Sequence, residues 1–98
     1  MQIPAGRTLV AYCGDERVEV TKDQFIIGRG KKATDLTIKD PNVSRTHAMV
    51  ERVQGQFFMV DMGSTNGVLY QGQRVQRMAI GPGDTFRIVK YDIRFEYE

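Results

Sequence analysis

From residue 85 onward the chain alternates apolar and polar side chains in two short runs. Phe86 and Ile88 interleave with Thr85 and Arg87, and Ile93, Phe95 and Tyr97 with Asp92, Arg94, Glu96 and Glu98. A period of two is the signature of an extended strand with one dry and one wet face. The intervening Lys90-Tyr91 predicts a tight connection between the two runs. The same reading predicts further strands over 8–12, 17–21, 24–27, 36–38, 48–53, 56–61, 68–70 and 74–75. Turn-forming residues separate them: Cys13-Gly14-Asp15, Asp40-Pro41-Asn42, Gln54-Gly55, Asn66-Gly67, Gln71-Gly72 and Gly81-Pro82-Gly83-Asp84. No stretch of about 11 residues carries helical spacing. The expectation is an all-β fold, an antiparallel two-sheet β-sandwich of about eleven short strands, with its binding loops gathered at one end. Residues 1–6 read as an N-terminal tail and 7–98 as a single domain.

The charge balance narrows the function. Fourteen basic side chains face 12 acidic ones, a formal net charge of +2. That is too weak for a nucleic-acid binder driven by charge, so any anion site must be local. Cys13 is the only cysteine and His47 the only histidine. A lone thiol forms no internal disulfide, which fits a reducing compartment such as the cytoplasm, and it reads as a buried or half-buried structural residue. The chain shows no apolar run of about 18 residues, and Met1-Gln2-Ile3-Pro4-Ala5-Gly6 has no signal-peptide core. Neither a cofactor, a metal, a membrane nor a nucleic acid is expected as a partner.

Three loops carry more polar residues than their length requires. In the first, a strand ends in Gly28, and Arg29 projects from its end, followed by Lys31 and Lys32. A guanidinium presents a fork of donors matched to phosphate oxygens and keeps its charge at any physiological pH; the two lysines by themselves read as a solvated basic loop. The second loop runs Asp40-Pro41-Asn42-Val43-Ser44-Arg45-Thr46-His47. Ser44 can donate a hydrogen bond to a phosphate, Arg45 adds a cation, and His47 reads as a structural residue that fixes the Ser44 loop. The third is Met62-Gly63-Ser64-Thr65-Asn66-Gly67. Its glycines and small polar residues suit an anion nest of backbone amides, while Asn66-Gly67 by itself would be read as a turn with positive φ.

Gly28-Arg29, Ser44-Arg45-Thr46-His47 after a Pro-Asn turn, and Gly63-Ser64-Thr65-Asn66-Gly67 together resemble the signature of forkhead-associated domains. The separations fit, 15 residues from Arg29 to Ser44 and 22 from Ser44 to Asn66, as do the later Gly72-Gln73-Arg74-Val75 and Gly81-Pro82-Gly83-Asp84. The resemblance covers residues 7 to 98. It implies a sandwich that reads phosphothreonine through loops at one end, in phosphorylation-dependent protein–protein interaction downstream of Ser/Thr kinases. By position, Arg29 is the main phosphate contact, Ser44 a hydrogen-bond donor to the phosphate and Arg45 a secondary contact. Thr65 offers its backbone N–H, and Asn66 binds the peptide backbone. Gly28, His47, Gly63 and Gly67 support the site. The implied partner is a phosphothreonine-containing protein or peptide, a segment of the same parent chain included. The residue two before Ser44, which helps choose peptides in some members, is Asn42 here.

Other motifs lack their context. Gly28-Arg29-Gly30-Lys31-Lys32-Ala33 matches a dinucleotide-binding pattern, but the helix which that pattern requires does not follow. Ser44 or Ser64 with His47 as base would suggest a hydrolase, yet no nucleophile elbow is present, and no enzymatic activity is expected. Asn42-Val43-Ser44 is a glycosylation sequon without a secretion signal. The remaining alternative is a phosphate-independent scaffold or assembly domain of a larger protein.

Overall fold

The computed structural model describes residues 7–98; the tail read at 1–6 lies outside the described residues. Eleven strands follow in order: β1 (Leu9–Cys13), β2 (Glu16–Glu19), β3 (Gln24–Gly28), β4 (Leu36–Thr37), β5 (Ala48–Val53), β6 (Gln56–Asp61), β7 (Leu69–Tyr70), β8 (Gln73–Arg74), β9 (Arg77–Ala79), β10 (Thr85–Ile88) and β11 (Tyr91–Tyr97). They form a six-stranded sheet in the order β2-β1-β11-β10-β7-β8 and a five-stranded sheet in the order β4-β3-β5-β6-β9. The pairings are antiparallel apart from β3 with the two-residue β4, which run parallel. A 3-10 turn over Lys31–Ala33 joins those two strands.

Period-two burial explains why these segments are strands. Along β11, Ile93, Phe95 and Tyr97 are buried while Asp92 and Arg94 are exposed. Along β10, Phe86 and Ile88 face inward, and the Phe86 and Phe95 rings meet edge to face with centroids 5.9 Å apart. Phe25, Ile27, Val50, Phe57 and Met59 supply the opposing face. Phe57 of the five-stranded sheet meets Tyr97 of the six-stranded one at 6.3 Å, which ties the layers together. The Tyr97 hydroxyl donates to the Ile80 carbonyl at 2.6 Å, and burial, helped by the nearby Asp84 charge, pushes its pKa up to about 12. Cys13 is half-buried and burial raises its thiol, as suits a structural residue.

Register decides which loops share an end. Ile27 at the close of β3 pairs with Ala48 at the opening of β5, and Ala48 pairs with Asp61 at the close of β6. The segments after β3, before β5 and after β6 therefore emerge together. Thr8 and Glu98 lie elsewhere, exchanging backbone hydrogen bonds of 2.7 and 2.8 Å. The seven residues of β11 carry the chain from Tyr91, beside the loops, to that distant end.

Two local details differ from the sequence reading. The β10–β11 connection is Val89-Lys90, and Tyr91 already belongs to the strand; Val89 adopts φ 58°, which the apolar contact of its side chain with the core accompanies. Strand β9 was not anticipated, because Arg77 and Ala79 are exposed and only Met78 leans inward.

Candidate functional site

Gly28 sets the geometry of the site. A Cβ there would overlap the Arg45 carbonyl oxygen and lie 2.9 Å from the Ser44 oxygen, so only glycine lets the end of β3 press against the second loop. Backbone bonds then stitch the two segments together: Arg29 N–H to the Ser44 carbonyl at 3.0 Å, Gly30 N–H to the Arg45 carbonyl at 3.1 Å, and His47 N–H to the Ile27 carbonyl at 2.8 Å. The Arg29 Nε donates to the Val43 carbonyl at 2.9 Å. That bond aims the exposed guanidinium and leaves its terminal nitrogens to face outward.

His47 is fully buried and joins the second loop to the third. Its Nδ1 accepts from the Ser44 N–H at 3.1 Å, which places the ring proton on Nε2, and Nε2 donates to the Gly67 carbonyl at 2.7 Å. The imidazole thus receives a bond from the Ser44 loop instead of donating one to it. The third loop is held from beneath by Asp61 and Ser64, both buried. Asp61 Oδ1 accepts from the Ser64 hydroxyl at 2.7 Å and the Ser64 amide at 3.0 Å, and the Ser64 Oγ accepts from the Gly67 N–H at 2.9 Å. Arg74 Nη2 closes the other side with 3.2 Å to the Ser64 carbonyl. Gly67, at φ 80°, runs so close under Arg74 that a Cβ would strike its guanidinium.

These bonds correct two expectations. The amides of Ser64 and Gly67 turn inward, so the loop is no nest with all its donors outward; the Thr65 N–H meets the Ser44 Oγ at 3.3 Å. Asn66 is not a positive-φ turn residue, since only Gly67 of that pair has positive φ. Its amide Nδ2 donates to the Asn42 carbonyl at 2.7 Å and bridges the second and third loops.

The supporting roles of Asp40, Asp61, Ser64, Arg74 and Tyr91 emerge from the structure. Asp40 Oδ1 accepts from the Asn42 N–H at 2.8 Å, an Asx turn that Asp40-Pro41-Asn42 was able to signal. Its Oδ2 accepts from the Tyr91 hydroxyl at 2.9 Å, a partner 51 residues away that no local pattern reveals. The Asn42 amide, then Tyr91, hold the Asp40 carboxyl below the usual range, and bonding to Asp40 raises the Tyr91 phenol.

Arg29, Ser44, Arg45, Thr65 and Asn66 all line one open concavity of about 360 Å³, together with Pro41, Asn42 and Val43. No acidic side chain is among its walls, and among the described residues no ion pair engages Arg29 or Arg45. A fork-shaped cation, a hydroxyl and an amide over one hollow suit a tetrahedral anion carried on a polypeptide. The profile of one family, the FHA domain, matches residues 25–89, the span holding all three loops.

The chain belongs to the FHA domain family.

Among curated relatives, the FHA domain described here is 32% identical over 74 residues to the glycogen accumulation regulator GarA of Mycobacterium tuberculosis, covering 74% of this chain and 46% of GarA. It is 32% identical over 83 residues to the ABC transporter ATP-binding/permease protein Rv1747 of the same organism, covering 76% of this chain and 10% of that protein. The chain therefore spans a tenth to about half of the length of these relatives. Mycobacterium tuberculosis EmbR, solved in complex with a low-affinity phosphopeptide, superposes with a TM-score of 0.85 at 24% identity, over 91% of this chain and 24% of that one. Among the described residues no helix is long and apolar enough to cross a membrane.

Proposed function

We propose that this FHA domain binds a phosphothreonine-containing segment of a protein and thereby couples Ser/Thr phosphorylation to protein–protein association, without catalysis of its own. The carrying observation is the convergence of Arg29, Ser44, Arg45, Thr65 and Asn66 on one hollow with no acidic wall. The terminal nitrogens of Arg29 take two phosphate oxygens. Ser44 donates its hydroxyl to a third, the Thr65 N–H swings its bond from the Ser44 Oγ to the phosphate, and Arg45 adds charge at the rim. Asn66 exchanges the Asn42 carbonyl for the backbone of the bound peptide. Gly28, His47, Gly63 and Gly67 hold the loops in place. The solved likeness of EmbR with a phosphopeptide supports the reading. The single half-buried thiol of Cys13 fits work in the cytoplasm.

Charge-assisted hydrogen bonds contribute about 1.5–3 kcal/mol each. Two or three of them with the Asn66 bond give, after ordering costs, an affinity in the micromolar range, roughly −8 kcal/mol. Pro41 and Val43 bring carbon into the lining, a niche for the threonine methyl worth about 0.8 kcal/mol, or roughly fourfold over phosphoserine. Calorimetric titration with matched phosphothreonine, phosphoserine and unmodified peptides tests the proposal. The expected order is phosphothreonine, then phosphoserine, with the unmodified peptide inert. Arg29→Ala is expected to weaken phosphopeptide binding at least about 100-fold with an unchanged circular dichroism spectrum. Equal binding of phosphorylated and unmodified peptides would establish a phosphate-independent module instead.

A further inference from the structure

Beside the phosphate hollow lies a second one of about 310 Å³, walled by Gly30, Lys31, Lys32, Ala33 and Arg45. Arg45 lines both. Its stem lies across Gly30 so closely that a Cβ there would sit 2.7 Å from Arg45 Cγ. Three cations thus border a hollow that contains no acid, and among the described residues none of the three joins an ion pair. Lys22, near the other end of β3, behaves differently: it is matched by Asp35 at 2.7 Å.

The lysines also sit on a pinned turn. Gly30 N–H is held by the Arg45 carbonyl, and the Ala33 N–H bonds the Gly30 carbonyl at 2.9 Å. Asp35 exchanges bonds with Ile26 through its own N–H at 2.8 Å and its carboxylate at 2.8 Å, and Thr34 and Thr37 join their hydroxyls at 2.7 Å. A fixed turn presents both ammonium groups without the full ordering cost of a free loop.

We propose that Lys31, Lys32 and Arg45 form a second anion subsite that takes another negative group of the same bound peptide, an acidic side chain or a second phosphate. The inference rests on the phosphothreonine reading of the neighbouring hollow. The shared Arg45 places the second charge within a few residues of the phosphothreonine, because an extended chain advances about 3.3 Å per residue. A second phosphate brings nearly twice the charge of a carboxylate and gains more from the same cations.

The test uses phosphothreonine peptides with otherwise neutral flanks, bearing a single glutamate at each of the four positions on either side, and then phosphoserine at the best of these. The wild-type domain is titrated beside a Lys31→Gln/Lys32→Gln double variant. At one or two adjacent positions glutamate is expected to tighten binding about threefold and phosphoserine about tenfold, with the gain lost in the double variant. The double variant is expected to bind the neutral-flanked phosphothreonine peptide within about twofold of wild type and to melt at the same temperature. A flat profile across all positions, or a gain that persists in the double variant, overturns the subsite while leaving the phosphothreonine reading intact. Failure of wild type to bind even the neutral-flanked phosphopeptide overturns both.

Discussion

Single positions in this domain carry unequal weight, and Gly28 and Arg29 show why. Arg29 is tied by Nε to the Val43 carbonyl while its terminal nitrogens stay outward. Lysine at that position keeps the charge but has neither the tether nor the planar fork. Arg29→Lys is therefore expected to weaken a phosphothreonine peptide about 30-fold in a calorimetric titration, with the residual binding more sensitive to salt. Gly28→Ala drives a methyl against the Arg45 carbonyl, a backbone atom with no room to retreat. Its expected cost is about 1–3 kcal/mol in urea denaturation, with loss of phosphopeptide binding because the displaced backbone carries Ser44. His47 illustrates the limit of reading residues one at a time. A lone histidine before an apolar strand signals structure, but only one of its two bonds is local, to Ser44, and the bond that joins the Gly67 loop depends on a partner 20 residues onward.

Loops and strands differ in how far the sequence announces them. Longer strands such as β5 and β6 were readable over their whole length, as apolar-rich runs set off by the Gln54-Gly55 turn, with burial alternating along most of each. Strand β9 was not, because it lies at a sheet edge and hides only Met78. The parallel β3–β4 pair was equally hidden, as two residues carry no period. The side chains that line the hollow stand in the motifs that carry the family resemblance, but the framework beneath them leaves no such mark in the sequence. The Tyr91–Asp40–Asn42 relay joins an element of one sheet to a loop of the other and sets the carbonyl that Asn66 holds. Tyr91→Phe is expected to lower phosphopeptide affinity about three- to tenfold while leaving the far-UV spectrum unchanged. The relay also has a pH signature. A carboxyl with a lowered folded pKa contributes its stabilisation above the ordinary aspartate value of about 3.9 and loses it as pH falls through the lowered value. The Asn42 amide resonance is therefore expected to titrate with a midpoint below about 3.9, and Asp40→Asn is expected to abolish that step.

Considered as one body, the domain places its charges by location more than by number. Acidic side chains are matched along the sheet faces, as in Arg17 with Glu98, Arg77 with Glu51 and Arg87 with Asp92. The loop end keeps cations without such partners, so a nearly balanced chain still offers one concentrated positive pole. Binding there stabilises the whole sandwich by linkage. At a phosphopeptide concentration about 100 times Kd the gain is about 2.7 kcal/mol. For a domain of this size that raises Tm by roughly 13 °C, whereas the unphosphorylated peptide is expected to leave it unchanged in a thermal melt. The paired Thr8 and Glu98 strands add a geometric consequence. A polypeptide attached at Glu98 must double back along the sandwich before it reaches the cationic pole. The length of β11 alone, about 23 Å at 3.3 Å per residue, sets a minimum tether of about seven extended residues. Phosphothreonines closer than that along the covalent chain are out of reach of their own domain and remain free for capture by a second molecule.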